Sequence, residues 1–568
     1  MIILGIMDGQ HDSGACILKD GEIISSINEE RITRKKMQGG FPKKSIDYVL
    51  KESKVKPQEI NAIVFGSILT PPIFARLFRN LQNEEDIVRS QERNKLFNLL
   101  SDIIQYKIKL TLIKPNSLFG RFNQLFLKLI ISRYLGSKFK GKKIYFVDHH
   151  LSHAASAHYT TGNDENLVIT GDCWGDGTSF AIYKCNKRNL KKIYSIDAED
   201  SLGHFYSAIT KDLGFKPFRH EGKILGLSAH GNAEKVRIKF PFTNKSKGLI
   251  FDYNQSFNIN KKLVNELKKY SREDISAWLQ EGVEDIVVSI CSRHIKKYKS
   301  KNIALSGGLF ANVRINQKIK EIEGVNNIWI FPHMGDGGLA VGGSLYIYNK
   351  KIRYYNKRLG NVYLGLEYSS KEIEDEIKKF GLNYKFCKKI EPVIADLLSE
   401  GKVVARFNGR MEYGPRALGN RSILYHAKDP KVNDWLNKKL NRTEFMPFAP
   451  ATLYEQRDKC YKNTRGAEHA AKFMTITFDC TNFMKKTSPA AVHVDNTARP
   501  QLVTKEINPS FYEIIKEYFK ITGIPSIINT SFNMHEEPIV CSPQDAIRSF
   551  KEGNLDYLAI GNYLIKNE

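Results

Sequence analysis

Two strand–turn–strand signatures begin at residues 2 and 166 of this chain. In the first, IILGIMDG runs into HDSGACIL, and the KDG turn at 19–21 leads into EIISSIN. In the second, NLVITGDCWGDGTSFAIY at 166–183 again sets an apolar strand, a Gly/Asp turn and another strand in succession. Asp-Gly pairs between apolar runs favour tight hairpins, because both central residues tolerate positive φ. Helical segments separate the two copies, so the pattern predicts an α/β unit built twice. At 568 residues the chain exceeds what one hydrophobic core serves, and two or more domains are expected.

A doubled hairpin unit of this kind predicts a fold of the actin/hexokinase type, in which each hairpin faces the phosphates of a nucleotide in the cleft. Two later segments continue the α/β alternation. KNIALSGGLFANVRIN (301–316) reads as strand, Gly-Gly turn and helix start, and NNIWIFPHMGDGGLAVGGSLY (326–346) repeats it. Small residues after MGDGG let that helix approach a strand or a ligand closely. The basic, Tyr-rich stretch at 346–360 reads as a junction between a domain at 1–355 and a second α/β domain at 361–568.

Residues 71–143 read as an insertion with 15 Lys/Arg against 5 Asp/Glu, a net of +10. Their spacing predicts amphipathic helices with solvated basic faces; the alternative is peripheral docking to an anionic membrane surface or a glycolipid acceptor. Across the whole chain the net charge is +26, which suits polyanions, nucleotides or phosphorylated substrates without choosing among them. With 42% apolar and 26% charged residues, disorder and coiled coil are excluded as the main state. The eight cysteines are scattered and form no C-x-x-C pair, which argues against a disulfide framework or a thiolate zinc site. No signal peptide is evident, and QLFLKLIIS (124–132) is too short to span a bilayer and is broken by Lys128. A cytoplasmic protein with no transmembrane segment is expected.

VDHHLSHAASAHY (147–159) holds four of the chain's 14 histidines. His149 and His153 are four apart, so a helix puts both on one face. The strand-end turns GDCWGDG and MGDGG offer Asp172 and Asp336 as carboxylate partners. Two imidazoles with two carboxylates and no sulfur suit Fe²⁺, Mn²⁺ or Zn²⁺, in a role of gripping phosphate oxygens. His150 points off that face and reads as structural, while His158 stays unassigned. Farther on, VVARFNGRMEYGPRALGNRSIL (403–424) places Arg406, Arg410, Arg416 and Arg421 around a Gly-rich loop, a pattern that fits a phosphate or carboxylate. NTARPQLV supplies Arg499, and IPSIINTSFN ends a strand in Asn529, Thr530 and Ser531, where α/β domains commonly hold ligands.

HDSGA, EERITRKK, HHLSHAASAHY, GDCWGDGTS, HEGKILGLSAHG, SGGLFANVRIN, MGDGGLAVGG, GRMEYGPRALGNRSI, PFAPA, TARPQ and NTSFN stand in the order found in the O-carbamoyltransferases, and the chain resembles that family outside 71–143. The family includes enzymes acting on nodulation factors, cephems, novobiocin-type sugars and aminoglycosides. The resemblance implies a duplicated actin-like (ASKHA, RNase H-like) N-terminal domain and a YrdC-like α/β C-terminal domain. It implies that carbamoyl phosphate and ATP form carbamoyl-adenylate in the second domain. The carbamoyl group then passes, in the first, to a hydroxyl of a sugar-containing acceptor such as a surface glycan, lipo-oligosaccharide or antibiotic.

Position by position, the resemblance implies Fe²⁺ on His149, His153, Asp172 and Asp336, with Mn²⁺ or Zn²⁺ as substitutes and Mg²⁺ accompanying ATP. It implies His11 as general base and Lys36 beside the adenylate. Gly307, Gly308, Asn312 and Asp176 fall in the nucleotide site, and Arg416, Arg499 and Asn529 in the carbamoyl phosphate site. One departure is Met446, where many members carry arginine; Arg442, four residues back, is the substitute on offer. A tRNA-modifying threonylcarbamoyl-type transferase is the alternative, since the actin-like domain has such relatives and a charge of +26 suits RNA. No RNA-binding motif accompanies it, so no nucleic-acid partner is expected. A carbohydrate kinase or an ATP-binding scaffold leaves residues 403–541 unexplained.

Overall fold

The computed structural model describes residues 1–68, 124, 127–128, 131, 134–245, 248–252, 261–440 and 448–567. Most of the basic insertion, with its predicted surface helices and docking face, lies outside the described residues, as do Arg442 and Met446. Where the end of the insertion is described, it is not a separate appendage. Leu127 is buried, Ile131 and Leu135 lie in the core of the first sheet, and residue 143 already begins a strand.

The predicted doubling is visible in strand order. The first sheet is built from β1 (Ile2–Met7), β2 (Gly14–Lys19), β3 (Glu22–Asn28), β4 (Ala62–Phe65) and β5 (Lys143–Phe146), in the order β3-β2-β1-β4-β5. The second uses β6 (Glu165–Gly175), β7 (Thr178–Asn186) and β8 (Asn189–Asp197). A small hairpin, β9 (Phe242–Lys245) with β10 (Gly248–Phe251), precedes β11 (Asn302–Ser306) and β12 (Asn327–Ile330). Its order, β8-β7-β6-β11-β12, matches the first strand for strand. Polarity matches too: three antiparallel strands, then two parallel ones. This is the duplicated actin-like, RNase H-like fold. The Asp-Gly signals close hairpins in both halves, with Asp20 and Gly21 at φ 53° and 96°, and Asp176 and Gly177 at 52° and 86°.

The halves meet through two helices. His149–His158 packs on the second sheet, Leu339–Lys351 on the first, and the two pack on each other. Glycine permits the close approach: a Cβ at Gly342 would stand 2.0 Å from the Ser152 carbonyl oxygen. The small-residue helix therefore approaches the histidine helix as well as a strand, since Gly5 of β1 would clash with the Ala340 carbonyl in the same way.

The C-terminal part is an α/β unit on one mixed sheet. Its strands are β13 (Lys385–Phe386), β14 (Val404–Phe407), β15 (Arg421–His426), β16 (Ala449–Leu453), β19 (Gln501–Val503), β20 (Ser526–Ser531), β21 (Tyr557–Ile560) and β22 (Tyr563–Lys566), and β17 (Phe478–Asp479) pairs separately with β18 (Thr497–Ala498). The order β13-β22-β21-β14-β15-β20-β16-β19 puts β14, β15 and β20 side by side near the middle. That brings the Arg416 loop, which joins β14 to β15, next to the end of β20. All eight cysteines are free thiols, and no described helix is long and apolar enough to cross a membrane.

Candidate active site

The histidine helix starts where its sequence says it should. Asp148 caps it, accepting from the Leu151 N–H at 2.9 Å. Asp176, expected at the nucleotide, holds the start of this helix. Its carboxylate is 3% exposed and accepts from the His149 N–H (2.8 Å), the Ser67 hydroxyl (3.0 Å) and the Ile68 N–H (3.0 Å). Gly175 leaves room for the His149 ring, which a Cβ there would meet at 2.1 Å.

His149 and His153 are fully buried, and their rings face Asp172 at the end of β6 and Asp336 in the turn after β12. His153 Nε2 lies 3.1 Å from Asp172 and 3.8 Å from Asp336; His149 Nε2 lies 3.7 and 3.5 Å from the same pair. One ligand atom from each residue falls within 4.8 Å of the other three. Neither ring nitrogen of His149 has a hydrogen-bond partner, a costly state for a buried imidazole unless something binds it. The second nitrogen of His153 sits 3.2 Å from the Ser306 hydroxyl, the outer contact that fixes a ligating imidazole's orientation. Burial would raise the Asp172 carboxyl, but the imidazoles of His149 and His153 beside it hold it well below the ordinary range. Burial likewise opposes charge on His149, yet Asp336 and Asp172 pull it up to about 9. Two buried carboxylates thus demand positive charge, from protons on the imidazoles or from a cation. The donor set fits a divalent ion.

The other two histidines of the run are structural. His150 bonds Thr170 and the Thr178 carbonyl, and burial, with His149 beside it, drives its pKa well down. His158 lies between the Lys187 carbonyl and the Asn166 amide, at 2.9 Å from each.

Around the cluster the structure gathers several of the expected residues. The Gly307–Gly308 turn crosses it, with Gly307 at φ 107° and the Gly308 N–H 3.2 Å from Asp172. A side chain at Gly307 would run into the Gly171 carbonyl at 2.1 Å. Asn312 stands farther along that turn, but its side chain caps the next helix and bonds Gln280, so its polar atoms already have protein partners. His11 Nε2 is 3.9 Å from Asp336, and Nδ1 is 3.2 Å from Asp12. Burial works against charge on His11, but the Asp12 hydrogen bond and the Asp336 and Asp172 carboxylates lift it to about 10. Two of those three carboxylates belong to the cluster, so any positive charge bound there acts directly on His11. Lys36 is near enough to Asp12 and Glu30 to favour their ionised forms.

The arginine loop is reorganised relative to expectation. Of its four arginines, three hold the loop itself. Arg421, fully buried, donates to the carbonyls of Asn408, Asn420, Leu366 and Gly409 and lies 3.6 Å over the Phe407 ring. Arg406 bonds the Gly419 carbonyl, Asn420 and Ser510, and Arg410 donates to the carbonyls of Leu364 and Ile24. Arg416 is different. Among the described residues it makes no ion pair, and its Nε is buried without a partner. Burial pushes it down to about 10, and burial together with Arg416 pushes Arg499 well below the usual arginine range. Asn529, 1% exposed, donates to the Ala417 carbonyl and to Gln501, placing it at the same point with its own oxygen unpartnered. The structure therefore gathers Arg416, Arg499 and Asn529.

Two contributors escaped the sequence reading. Glu412, 4% exposed, accepts through one oxygen from the N–H groups of Leu418, Asn420 and Arg421 and so closes the loop on itself. Gln501 ties the Leu418 carbonyl to Asn529. Gln501 closes the TARPQ motif and Glu412 sits inside EYGPRALG, so both lay beside residues already singled out.

Comparison with known proteins places these sites in context. Residues 2–345 match the family model described as carbamoyltransferase N-terminus, and residues 395–567 match carbamoyltransferase C-terminus. The uncharacterized protein MJ1051 of Methanocaldococcus jannaschii is 36% identical, covering 99% of both chains. Nodulation protein NolNO of Sinorhizobium fredii is 29% identical over 98% of this chain and 79% of its own. Nodulation protein NolO of Bradyrhizobium diazoefficiens is 30% identical over 74% of this chain and 79% of its own. Among solved structures, T. kodakarensis HypF aligns over 62% of this chain and 48% of its own at 12% identity and a TM-score of 0.36, too loose a likeness to bear on function. The chain belongs to the carbamoyltransferase family.

Proposed function

We propose that this carbamoyltransferase works in two steps at the two sites just described. In the C-terminal unit, carbamoyl phosphate, ATP and one water give carbamoyl-adenylate, phosphate and pyrophosphate. In the N-terminal unit, a sugar hydroxyl of the acceptor attacks the carbamoyl carbon, forming the O-carbamate and releasing AMP. The acceptor class, a surface glycan, lipo-oligosaccharide or antibiotic, rests on the family resemblance.

The observation that carries the reading is the pair Arg416 and Arg499. Two neighbouring guanidinium groups, of which Arg416 disfavours charge on Arg499 and neither pairs with a carboxylate among the described residues, are resolved by a bound anion, and carbamoyl phosphate has the charge and the planar carbonyl for it. Asn529 adds an amide whose oxygen is free to accept from the carbamoyl NH₂. Gln501 and Glu412 keep the loop closed so that Arg416 is presented rather than collapsed.

In the second step, His149, His153, Asp172 and Asp336 would hold a divalent ion, Fe²⁺ in our reading, with Mn²⁺ or Zn²⁺ as substitutes. When bound, such an ion supplies Lewis-acid charge for the phosphate oxygens of the adenylate. The Gly307–Gly308 backbone lets the nucleotide approach, and Lys36 offsets its negative charge. His11 is placed to take the proton of the attacking hydroxyl. No observation favours the tRNA-modifying alternative.

The test is to incubate the full chain with carbamoyl phosphate, ATP and Fe²⁺, then follow pyrophosphate release and carbamoyl-adenylate by mass. Both should appear together and depend on carbamoyl phosphate. Absence of pyrophosphate with Fe²⁺, Mn²⁺ and Zn²⁺ alike would overturn the reading.

A further inference from the structure

The four residues Tyr413, Gly414, Pro415 and Arg416 belong to the C-terminal arginine loop, yet their first half is built into the N-terminal site. The Tyr413 hydroxyl donates to the Gly337 carbonyl at 2.5 Å, and Gly337 follows Asp336 directly in the chain. Tyr413 is only 4% exposed, so water does not compete for that bond. Its own position is fixed from both sides: its N–H donates to the Val362 carbonyl at 2.7 Å, and the next carbonyl, of Gly414, accepts from Arg31 at 2.8 Å.

The turn that Tyr413 reaches carries two backbone bonds of its own, from the Gly338 N–H to the Gly335 carbonyl at 2.9 Å and from the Leu339 N–H to the Asp336 carbonyl. Tyr413 adds the bond from outside, to the Gly337 carbonyl. The turn is the three-residue segment Asp336–Gly338, and residue 337 has to be glycine because a Cβ would strike the His333 ring and the Asn28 amide at 2.2 and 2.5 Å. A second branch leaves the same tyrosine. Its ring lies 4.7 Å from that of His333, whose Nε2 meets the Asn28 oxygen at 2.8 Å; the Asn28 amide donates to the Asp12 carbonyl at 3.0 Å, beside His11. One phenol from the C-terminal unit therefore contacts the turn bearing a cluster carboxylate and, through two side chains, the turn bearing His11.

We propose that Tyr413 is a positioning residue: through the Tyr413–Gly337 bond the C-terminal unit sets the Asp336 carboxylate, so the divalent-ion site is complete only when the arginine loop is docked. This rests on the reading of His149, His153, Asp172 and Asp336 as that site.

Co²⁺ is the probe, titrated into the full chain by calorimetry and by its visible absorption, for the wild type and Tyr413→Phe. Pyrophosphate release from ATP and carbamoyl phosphate and the thermal midpoint are recorded on the same samples. Tyr413→Phe should bind Co²⁺ about 10-fold more weakly, the usual scale for losing an outer contact to a metal site. Its pyrophosphate release should stay within about 2-fold of wild type, since a factor of two is under 1 kcal/mol. Tyr413→Met removes the same donor with a side chain that refills the space, and should show the same loss if the phenylalanine form does not fold. Unchanged Co²⁺ affinity in a folded variant overturns the proposal. So does a parallel fall in Co²⁺ affinity, pyrophosphate release and thermal midpoint, which is the mark of a general structural role. A wild-type chain that binds no Co²⁺ refutes the ion site itself and this proposal with it, a result distinct from equal binding by both forms.

Discussion

The two sites are assembled in opposite ways. The histidine–aspartate cluster draws four groups from three places in the sequence, and all four converge with little else to do. The arginine loop crowds four guanidinium groups into one short stretch, but most of them turn inward, and the site it serves keeps only Arg416 and takes Arg499 and Asn529 from elsewhere. Four arginines within 406–421 look like one anion site, but Arg406, Arg410 and Arg421 direct their N–H groups at backbone carbonyls. Charge density along a sequence is therefore a poor measure of what a site offers to ligand. Spacing that forces convergence is a better one.

The sharpest way to break this comparison is at the cluster. His153→Ala should abolish stoichiometric Co²⁺ binding, with affinity down at least about 100-fold, while pyrophosphate release from ATP and carbamoyl phosphate persists. Retained Co²⁺ binding would mean the convergence is incidental. Next comes the contrast within the loop. Arg416→Ala should lower kcat/KM for pyrophosphate release by about 100-fold with little change in stability, as expected for truncating one partner of a buried ionic contact. Arg421→Ala should do the reverse in kind, costing about 3 kcal/mol in denaturant unfolding because it takes the buried donor from the Asn408 and Gly409 carbonyls and the guanidinium from the Phe407 ring. If Arg421→Ala left stability intact, the division between holding and binding arginines would fail.

Glu412 gives a graded test of the same division. Glu412→Ala leaves three N–H groups unmet and should lower stability by about 2–3 kcal/mol, whereas Glu412→Gln keeps one acceptor oxygen and should lose about half of that in the same unfolding assay. The smallest effect is expected at the contact between the units on the far side of Lys36. Glu536 of the C-terminal unit meets Lys216 at 2.6 Å, His220 at 2.9 Å and Arg219 at 3.5 Å. Burial would raise its carboxyl, but the hydrogen bonds from Lys216 and His220 lower it to about 2. A folded-state pKa below the unfolded value means a stabilising contribution that is complete above about 4.5 and lost as pH falls toward about 2. Lys216 is 57% exposed, so solvent screening reduces the contribution to on the order of 1 kcal/mol. Unfolding measured across that window should slope less for Glu536→Gln than for wild type, and identical slopes would remove Glu536 from the account.

Much of this was legible in the chain itself. The hairpins were marked by Asp-Gly pairs because few other dipeptides accept positive φ at both positions, and the i, i+4 histidines declared a shared face because helical geometry is fixed at 3.6 residues per turn. Asp172 and Asp336 were legible as strand-end carboxylates. Two residues expected at the nucleotide have structural partners of their own. Asp176 and Asn312 sit beside glycine turns as ligand-binding residues do, but backbone N–H groups nearby already engage their side chains. The small-residue helix was legible as a close-packing element, but not that its main neighbour would be the histidine helix.

The sequence by itself determined the local geometry: which segments turn, which cap, and which two imidazoles face one way. These follow from steric limits on φ and ψ and from the helical repeat, and need no other part of the chain. Only the tertiary structure decided which charged groups remain for a ligand. That depends on which buried donors and acceptors find a partner within hydrogen-bond distance, and the partners come from anywhere in the chain: Arg31 for the Gly414 carbonyl, Tyr413 for that of Gly337, and, among the described residues, none for Arg416 Nε or either nitrogen of His149.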